Sequence, residues 1–275
     1  MGIRINRNDD GNLLSSLRAN SKAIQDATRE LSSGLRLNQA ADDAAAMAIA
    51  TRLEAENRGL QQAQRNVQSG VSIIQTAEGG LNNIENDVQR IRELAVQASN
   101  GTLSTDDRQA IQSEINQLVS NIDQTANNTE FNGQALIEGS AAGADSLTVA
   151  GGANGTETID IDIADSRAAA LGLDTIDVTS QAGASAAIAA ADQAIEQVLT
   201  TRAEIGATQN RLQSQSNRLA TTQVNTEAVR SRIRDADIAE AVTQRTAAAI
   251  RNQFAIALPA QQNQNRGSVL QLLNE

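Results

Sequence analysis

Two apolar series with a seven-residue period run through the first half of the chain, three residues apart. Two apolar positions per heptad over about seven heptads are typical of a coiled coil, so we predict one long helix over about 46–98. At 1.5 Å per residue this helix would be about 80 Å long. One series comprises Ala46, Leu53, Leu60, Val67, Ile74, Leu81, Val88 and Ala95, and the other Ile49, Glu56, Ala63, Gly70, Ala77, Ile84, Ile91 and Ala98.

A second helix is predicted directly after the Asn100-Gly101 stop signal. Ser104 and Asp107 have the spacing of a capping box, in which each residue's side chain bonds to the other's backbone N–H. Ile111, Ile115, Leu118 and Ile122 then lie on one helical face, which predicts a helix over about 104–128. The Asn132-Gly133 pair is interpreted as the end of this region.

The middle of the chain, about 139–178, is predicted to contain the β-structure. Ile159, Ile161 and Ile163 alternate with acidic residues behind an Asn154-Gly155 turn signal, which predicts a half-buried strand and a small hairpin. Beyond it, a second long helix over about 185–232 is predicted by heptad spacing. The residues of that spacing are Ala191, Val198, Ile205, Leu212, Leu219 and Ile233, with Thr226 as a polar interruption.

The fold class that follows is mainly α, a long antiparallel α-helical coiled-coil rod with a small β-hairpin region in the middle of the chain. We expect residues 42–232 to form the rod domain, and 1–41 plus 233–275 to form a terminal domain. The terminal segments carry narrow apolar stripes, and short amphipathic helices are marginal in water, so we expect them to self-assemble with further copies. The stripe residues are Leu17, Ile24 and Leu31 at one end, and Val242, Ile250, Phe254 and Leu258, as far as Pro259, at the other.

Composition argues against an enzyme. The 275 residues include no Cys and no His, which excludes a Ser/His/Asp triad, a Cys nucleophile and a Cys/His zinc site. Asp160, Asp162 and Asp165 lack the glycine and distal glutamate of a calcium loop and are interpreted as a solvated strand face. We therefore expect no cofactor and no metal.

The charge and the hydropathy of the chain limit the kinds of partner that it can bind. The net charge is −11 and aromatic residues make up 1% of the chain, which disfavours nucleic-acid binding because phosphates need cations and bases need rings. No run of eighteen apolar residues occurs, so no membrane insertion is expected. The N-terminal residues lack an apolar signal-peptide region, so secretion would use a route without a cleaved signal.

Ordered motifs along nearly the whole chain resemble those of bacterial flagellin, in a short form without large outer variable domains. The first is Glu30-Leu-Ser-Ser-Gly-Leu-Arg-Leu-Asn38, which is followed by an alanine-rich segment over 40–50. Other matching segments are Gln89–Gln97, Glu130–Gly133, Glu157–Asp162, Leu171–Asp174, Gly206–Arg211, Ser231–Asp237 and Val269–Leu273.

The resemblance implies a structural subunit that self-assembles into the extracellular flagellar filament for swimming motility. It implies that the terminal helices form the inner tube of that filament, and that the chain is exported without a cleaved signal peptide. The partners it implies are further copies of the chain, the hook–filament junction and cap proteins, and an export chaperone.

The resemblance also implies a possible contact patch for a host Toll-like receptor, at Arg90, Leu94 and Glu114. The alternative for this patch is ordinary packing between subunits. Two alternatives for the whole chain are a flagellin-like hook–filament junction protein and a generic coiled-coil adaptor. A filament subunit elongates indefinitely, a junction protein stops after one ring, and an adaptor forms a fixed oligomer.

Overall fold

A computed structural model describes residues 7–143 and 146–273, with side chains over 14–143 and 146–258 and at 261 and 264. The described residues form five helices and two two-stranded antiparallel sheets, which confirms the mainly α fold with its small β-hairpin region. The elements are α1 Arg7–Ser33, α2 Ala44–Ala98, α3 Thr105–Asn128, β1 Glu130–Phe131, β2 Gln134–Ala135, β3 Leu147–Ala150, β4 Thr158–Ile161, α4 Gln181–Arg234 and α5 Ile238–Leu273.

The chain divides into two compact units. A terminal unit contains residues 1–55 and 225–275, and a central unit contains residues 56–224. The central unit has 21 acidic and nine basic side chains, a net charge of −12, whereas the terminal unit has a net charge of +1. The negative charge of the protein therefore belongs to the central unit.

The heptad series of α2 and α4 form the core of the central unit. Along α2, both series are buried from Leu60 onward, and along α4 the series is buried as far as Leu219. Before that point Ile49 and Glu56 are exposed. Charged pairs fix the antiparallel register of the two helices, including Arg92 Nε to Asp192 at 2.6 Å.

Helix α3 begins with the predicted capping box. The Ser104 hydroxyl accepts from the Asp107 N–H, and the Asp107 carboxylate accepts from the Ser104 N–H and hydroxyl. These hydrogen bonds lower the pKa of Asp107. The helix runs antiparallel to α2 and buries its predicted apolar face, including Ile115 and Ile122.

Asn132-Gly133 is a hairpin turn rather than the end of the helical region. Both residues have positive φ, 54° and 77°, which a two-residue type I′ turn requires, and they join β1 to β2. The interpretation from sequence was wrong here because two-residue strands are too short to show an alternating pattern. The predicted hairpin, β3–β4, pairs Leu147 with Ile161 and packs Val149 and Ile159 into the core.

Glycines on α2 let the β-containing segment approach the helix closely. A Cβ at Gly80 would lie 2.6 Å from Thr129 Oγ1 and 2.9 Å from Ile137 Cδ1, and one at Gly70 would lie 3.0 Å from Val149 Cγ2. A Cβ at the adjacent Gly79 would meet nothing within 4 Å. Gly80 is therefore required by packing, whereas Gly79 is not.

Within the terminal unit, the break between α1 and α2 is bonded to the break between α4 and α5. Leu35 and Asp235 form an antiparallel bridge, and the Arg234 carbonyl accepts from the Arg36 N–H at 2.8 Å. The Gly34 carbonyl accepts from the Ala236 N–H at 3.0 Å. Because the two breaks are joined, α1 and α5 begin their pairing from a common point.

Candidate assembly surface

Helices α1 and α5 pack against each other in the terminal unit, and the side chains they bury are small. Ala27 is 3% exposed, Ala241 1% and Ala248 2%. Alanines at these positions let the two helices approach closely. The larger apolar side chains of α5 consequently lie outside this contact.

Outside the alanine contact, α5 exposes large apolar side chains over more than half of its circumference, and this surface is called the α5 apolar face. Phe254 is 64% exposed, the largest fraction on this face. A soluble monomer rarely leaves so many large apolar side chains together in water, and such a face marks an interaction site. The members of this α5 apolar face are Ile238, Val242, Ile250, Phe254, Ile256 and Leu258.

The stripe residues predicted from sequence divide between the two helices. Ile250, Phe254 and Leu258 are exposed on α5, whereas Leu17, Ile24 and Leu31 of α1 are half-buried. On α1, Leu14 is 55% exposed. The structure therefore brings the two stripes into one helix pair.

Sequence reasoning missed Leu14, Ile238 and Ile256 as members of this surface. The α5 stripe recurs every four residues, and Ile256 does not fall on this spacing, so periodicity does not select it. Ile238 lies three such steps before Ile250, so the spacing could have selected it. The signal that could have found them is that α5 has more large apolar residues than the single helix α1 can cover.

The second predicted patch lies in the central unit. Arg90 of α2 donates from Nη2 to Glu114 Oε1 of α3 at 2.9 Å and from Nη1 to Glu93 Oε2 at 3.0 Å. These bonds raise the pKa of Arg90, with Glu114 the larger cause. Leu94 is 2% exposed and belongs to the core, so the surface of this patch consists of Arg90 and Glu114 without Leu94.

Two of the three aspartates discussed in the β-segment, Asp162 and Asp165, have partners within the fold. The Asp165 carboxylate binds the Arg167 guanidinium through both oxygens, and Asp162 accepts from the Gly143 N–H at 3.0 Å. Over residues 7–143 and 146–273, no group of three or more acidic side chains is arranged to hold a metal ion. In the same residues, no helix is both long and apolar enough to span a membrane.

Comparison with known proteins decides the family. Models of the bacterial flagellin N-terminal and C-terminal helical regions match residues 6–142 and 188–273. A flagellin of Bacillus subtilis is 41% identical over 98% of this chain and 100% of its own length. The chain belongs to the bacterial flagellin family. As a flagellin it is a structural subunit of the flagellar filament, which extends outside the cell.

Solved structures agree with this assignment. The chain resembles the crystal structure of Bacillus cereus flagellin with a TM-score of 0.51 and 30% identity, over 56% of this chain and 88% of that one. A protein of Vibrio parahaemolyticus assigned to the hook-associated class has a TM-score of 0.59 at 19% identity, over 70% of this chain and 99% of that one. At that identity the second likeness concerns the fold alone.

Proposed function

We propose that the α5 apolar face, together with α1, is the surface through which this flagellin adds to the growing filament. The observation that carries the proposal is the exposure of six large apolar side chains on one helix. Complete burial of a fully exposed side chain of this kind is worth about 1.5–3 kcal/mol. These side chains are 47–64% exposed, so each would gain about half of that, and six together are a strong driving force for assembly.

We further propose that the two parts of the chain occupy different layers of the filament. Residues 1–41 and 233–275 would form the inner tube of the filament, and residues 42–232 the layer around it. The charges support this arrangement, because residues 1–41 and 233–275 together have a net charge of +2 and can be enclosed at low cost, whereas residues 42–232, at −13, favour contact with water.

Seeded elongation of the purified full chain tests the assembly surface. We expect Phe254→Ser combined with Leu258→Ser to stop elongation on wild-type filament seeds, because both changes remove apolar contact area. Leu199→Ser is the matched control, since Leu199 is 48% exposed but lies in the central unit. Normal elongation by the double variant, or equal loss in the control, would contradict the proposal.

A second candidate function is a hook–filament junction protein, which the likeness to the hook-associated fold favours. The two functions differ in the polymer they form. We expect electron microscopy of seeded wild-type chain to show filaments whose length increases with the supply of monomer. Growth that stops after one added ring would support the junction function instead.

The remaining partners and the export route belong to the same proposal. As a filament subunit, the chain would leave the cell without cleavage of a signal peptide, bound first by an export chaperone, and would meet the junction and cap proteins at the filament ends. Mass spectrometry of protein recovered from filaments tests the export route. An N-terminus that has lost a signal-length segment would contradict it.

We also propose that the Arg90–Glu114 pair contributes to recognition by a host Toll-like receptor. Both side chains are about half-exposed and charged, which allows a partner to form hydrogen bonds with them. Receptor activation by unassembled Arg90→Ala chain should fall relative to wild type. Arg65→Ala is the control, because Arg65 is exposed on the same helix and bonds to Gln62 alone in the described chain.

A further inference from the structure

One stretch of α4 carries positive charge without any negative charge. Residues 205–226 contain two charged side chains, Arg211 and Arg218, seven residues apart. Both are exposed and line a groove between α4 and β4 with Thr158 and Ser214. In the described chain Arg211 has no ion pair, and Arg218 uses Nη2 alone, donating to Glu157 Oε2 at 3.2 Å.

Helix α3 presents the opposite charge with the same spacing. Asp107 and Glu114 are exposed, seven residues apart, and each uses one carboxylate oxygen within the described chain. Asp107 Oδ1 and Glu114 Oε2 accept no hydrogen bond there. Arg108, the one basic residue of α3, directs its guanidinium to the carbonyls of Ala98 and Asn100, so it does not neutralise this face.

The two pairs are too far apart to meet within one chain. Glu114 lies beside Arg90 of α2, whereas Ser216, between the two arginines, lies beside Gln64 of the same helix. Twenty-six residues of helix separate these two levels, which corresponds to about 40 Å. Since α3 and α4 both run antiparallel to α2, they run parallel to each other.

A second copy shifted lengthwise by this distance would bring the pairs together in matching order. Asp107 would meet Arg211 and Glu114 would meet Arg218, because the spacing and the direction of the two helices agree. We propose that the α3 acidic pair of one copy docks on the α4 arginine pair of the next copy. This inference rests on the chain's role as a filament subunit and adds a contact in the central unit to the proposed terminal one.

The charge of the central unit supports this choice of contact. At −12, two central units repel each other in most arrangements, and a like-charge juxtaposition is costly. The arginine groove is a place where an acidic helix is attracted instead. Because the two pairs are different surfaces, the contact is heterologous and can propagate into an open polymer rather than close as a dimer.

Charge reversal tests the contact in seeded elongation at low salt. We expect Arg211→Glu to slow elongation about tenfold, because rim charges act mainly on the association rate, and we expect the difference to shrink at high salt. Arg65→Glu is the matched control, since it changes the net charge equally on an exposed face of α2. Equal rates for the two variants would overturn the proposal.

Rescue sharpens the same test. Adding Asp107→Arg to Arg211→Glu swaps the charges of both surfaces and should restore elongation, whereas adding Asp106→Arg should not. Asp106 is an exposed acidic residue in the same first turn of α3, so it controls for the helix terminus. Circular dichroism of each variant checks that the chain remains helical. Equal rescue by Asp106→Arg would show that only net charge matters.

Cross-linking tests the geometry without relying on rates, because the chain has no native cysteine. Copies with Arg211→Cys are mixed with copies carrying Asp107→Cys and treated with a short bis-maleimide. We expect mixed dimers, and far fewer when Arg65→Cys replaces Arg211→Cys. Equal yields from both mixtures would overturn the contact.

The cross-link is measured in filaments and also in concentrated unassembled chain, so it reports on this contact even where elongation fails. Loss of elongation in the α5 variants at every salt concentration, with the cross-link retained, supports both surfaces independently. Elongation that depends on α5 while the cross-link is absent would refute the central contact alone.

Discussion

The terminal and central units bury different kinds of side chain. The central unit encloses long aliphatic residues such as Ile74, Leu81 and Ile84, each with no exposed surface. The terminal unit encloses Ala27, Ala241 and Ala248 between α1 and α5, while Ile250 and Phe254 remain exposed. The central unit has completed its core within the chain, whereas the terminal unit leaves large apolar side chains exposed.

This difference suits a filament subunit, because one part of the chain folds by itself and another part has apolar surface available for contact with other copies. Burial of large side chains supplies most folding free energy, so the central unit is stable by itself. A pair of helices held by alanines gains little from burial and is marginal in water. If further copies cover the α5 apolar face, as proposed, the terminal unit would become stable on assembly, and its stability would be coupled to filament growth.

The largest difference in stability is expected when the same substitution, Ile→Ala, is made once in each unit. We expect Ile84→Ala to lower the free energy of unfolding by about 2–5 kcal/mol, because Ile84 is completely buried and a cavity would remain. Ile250→Ala makes the same chemical change at a site that is 47% exposed. It should change the stability of the monomer little and should slow seeded elongation.

Urea unfolding followed by circular dichroism measures the stability of both variants, and light scattering measures their elongation. A large loss of monomer stability in Ile250→Ala would mean that α5 is already covered in the monomer. The distinction between the units would then be wrong.

The next effect concerns the alanine contact of the terminal unit. Ala248→Leu should separate α1 from α5 and cost about 1–3 kcal/mol, because the 2% exposed site has no room for three more carbon atoms. Ala257→Leu is the control, since Ala257 is exposed on the same helix. Hydrogen exchange of α1 and α5 amides measures the change, and equal protection in both variants would show that the contact is not close.

Two neighbouring glycines sharpen the account of the central unit. Gly80→Ala should destabilise it by about 1–3 kcal/mol, because the new Cβ would collide with Thr129 and Ile137. Gly79→Ala should stabilise it by up to about 1 kcal/mol, since alanine favours a helix and nothing lies within 4 Å. Urea midpoints moving in the same direction would contradict this assignment of the two glycines.

The sequence predicted the central unit well because its helices follow one strict rule. Heptad spacing selected Leu60 to Ala98 on α2 and Ala191 to Leu219 on α4, and burial of these residues agrees with it. The heptad pattern did not predict burial correctly at the start of α2, where the described part of the chain leaves this face of the helix uncovered. Ile49 continues the series there and is 49% exposed. Periodicity identifies a face, but the number of neighbours that cover the face is a property of the fold.

Features set by local geometry were harder to predict. Helix α5 continues through Pro259 to Leu273, although the predicted stripe ended at Pro259. A proline disfavours a helix interior because it removes a backbone donor, but the Ala and Gln residues that follow favour a helix and partly offset that cost. The bonded breaks at Leu35 and Asp235 join residues 200 positions apart, and no local pattern contains that pairing. The exposed members of the assembly surface depend on such pairings.

The smallest effect on stability is expected at the helix caps. One cap lies in each unit, and the effect of the cap in the central unit depends on pH. Ser104→Ala should cost the central unit about 0.5–2 kcal/mol, because the cap accepts a backbone N–H of α3. The hydrogen bonds from Ser104 hold the pKa of Asp107 below its ordinary value, so their stabilisation is present above about pH 4 and is lost as the pH falls through the lowered pKa. The difference in stability between wild type and Ser104→Ala, measured by urea unfolding at several pH values, should therefore narrow in acid without closing. It does not close because the Ser104 hydroxyl still accepts from the Asp107 N–H when the carboxyl is protonated. Asp237, whose carboxylate accepts from the Ala239 N–H at 2.9 Å, caps α5 in the terminal unit, and Asp237→Ala should loosen α5 without changing the unfolding of the central unit. A shift of the central transition in Asp237→Ala would show that the two units unfold together, and the marginal stability assigned to the terminal helices would have to be abandoned.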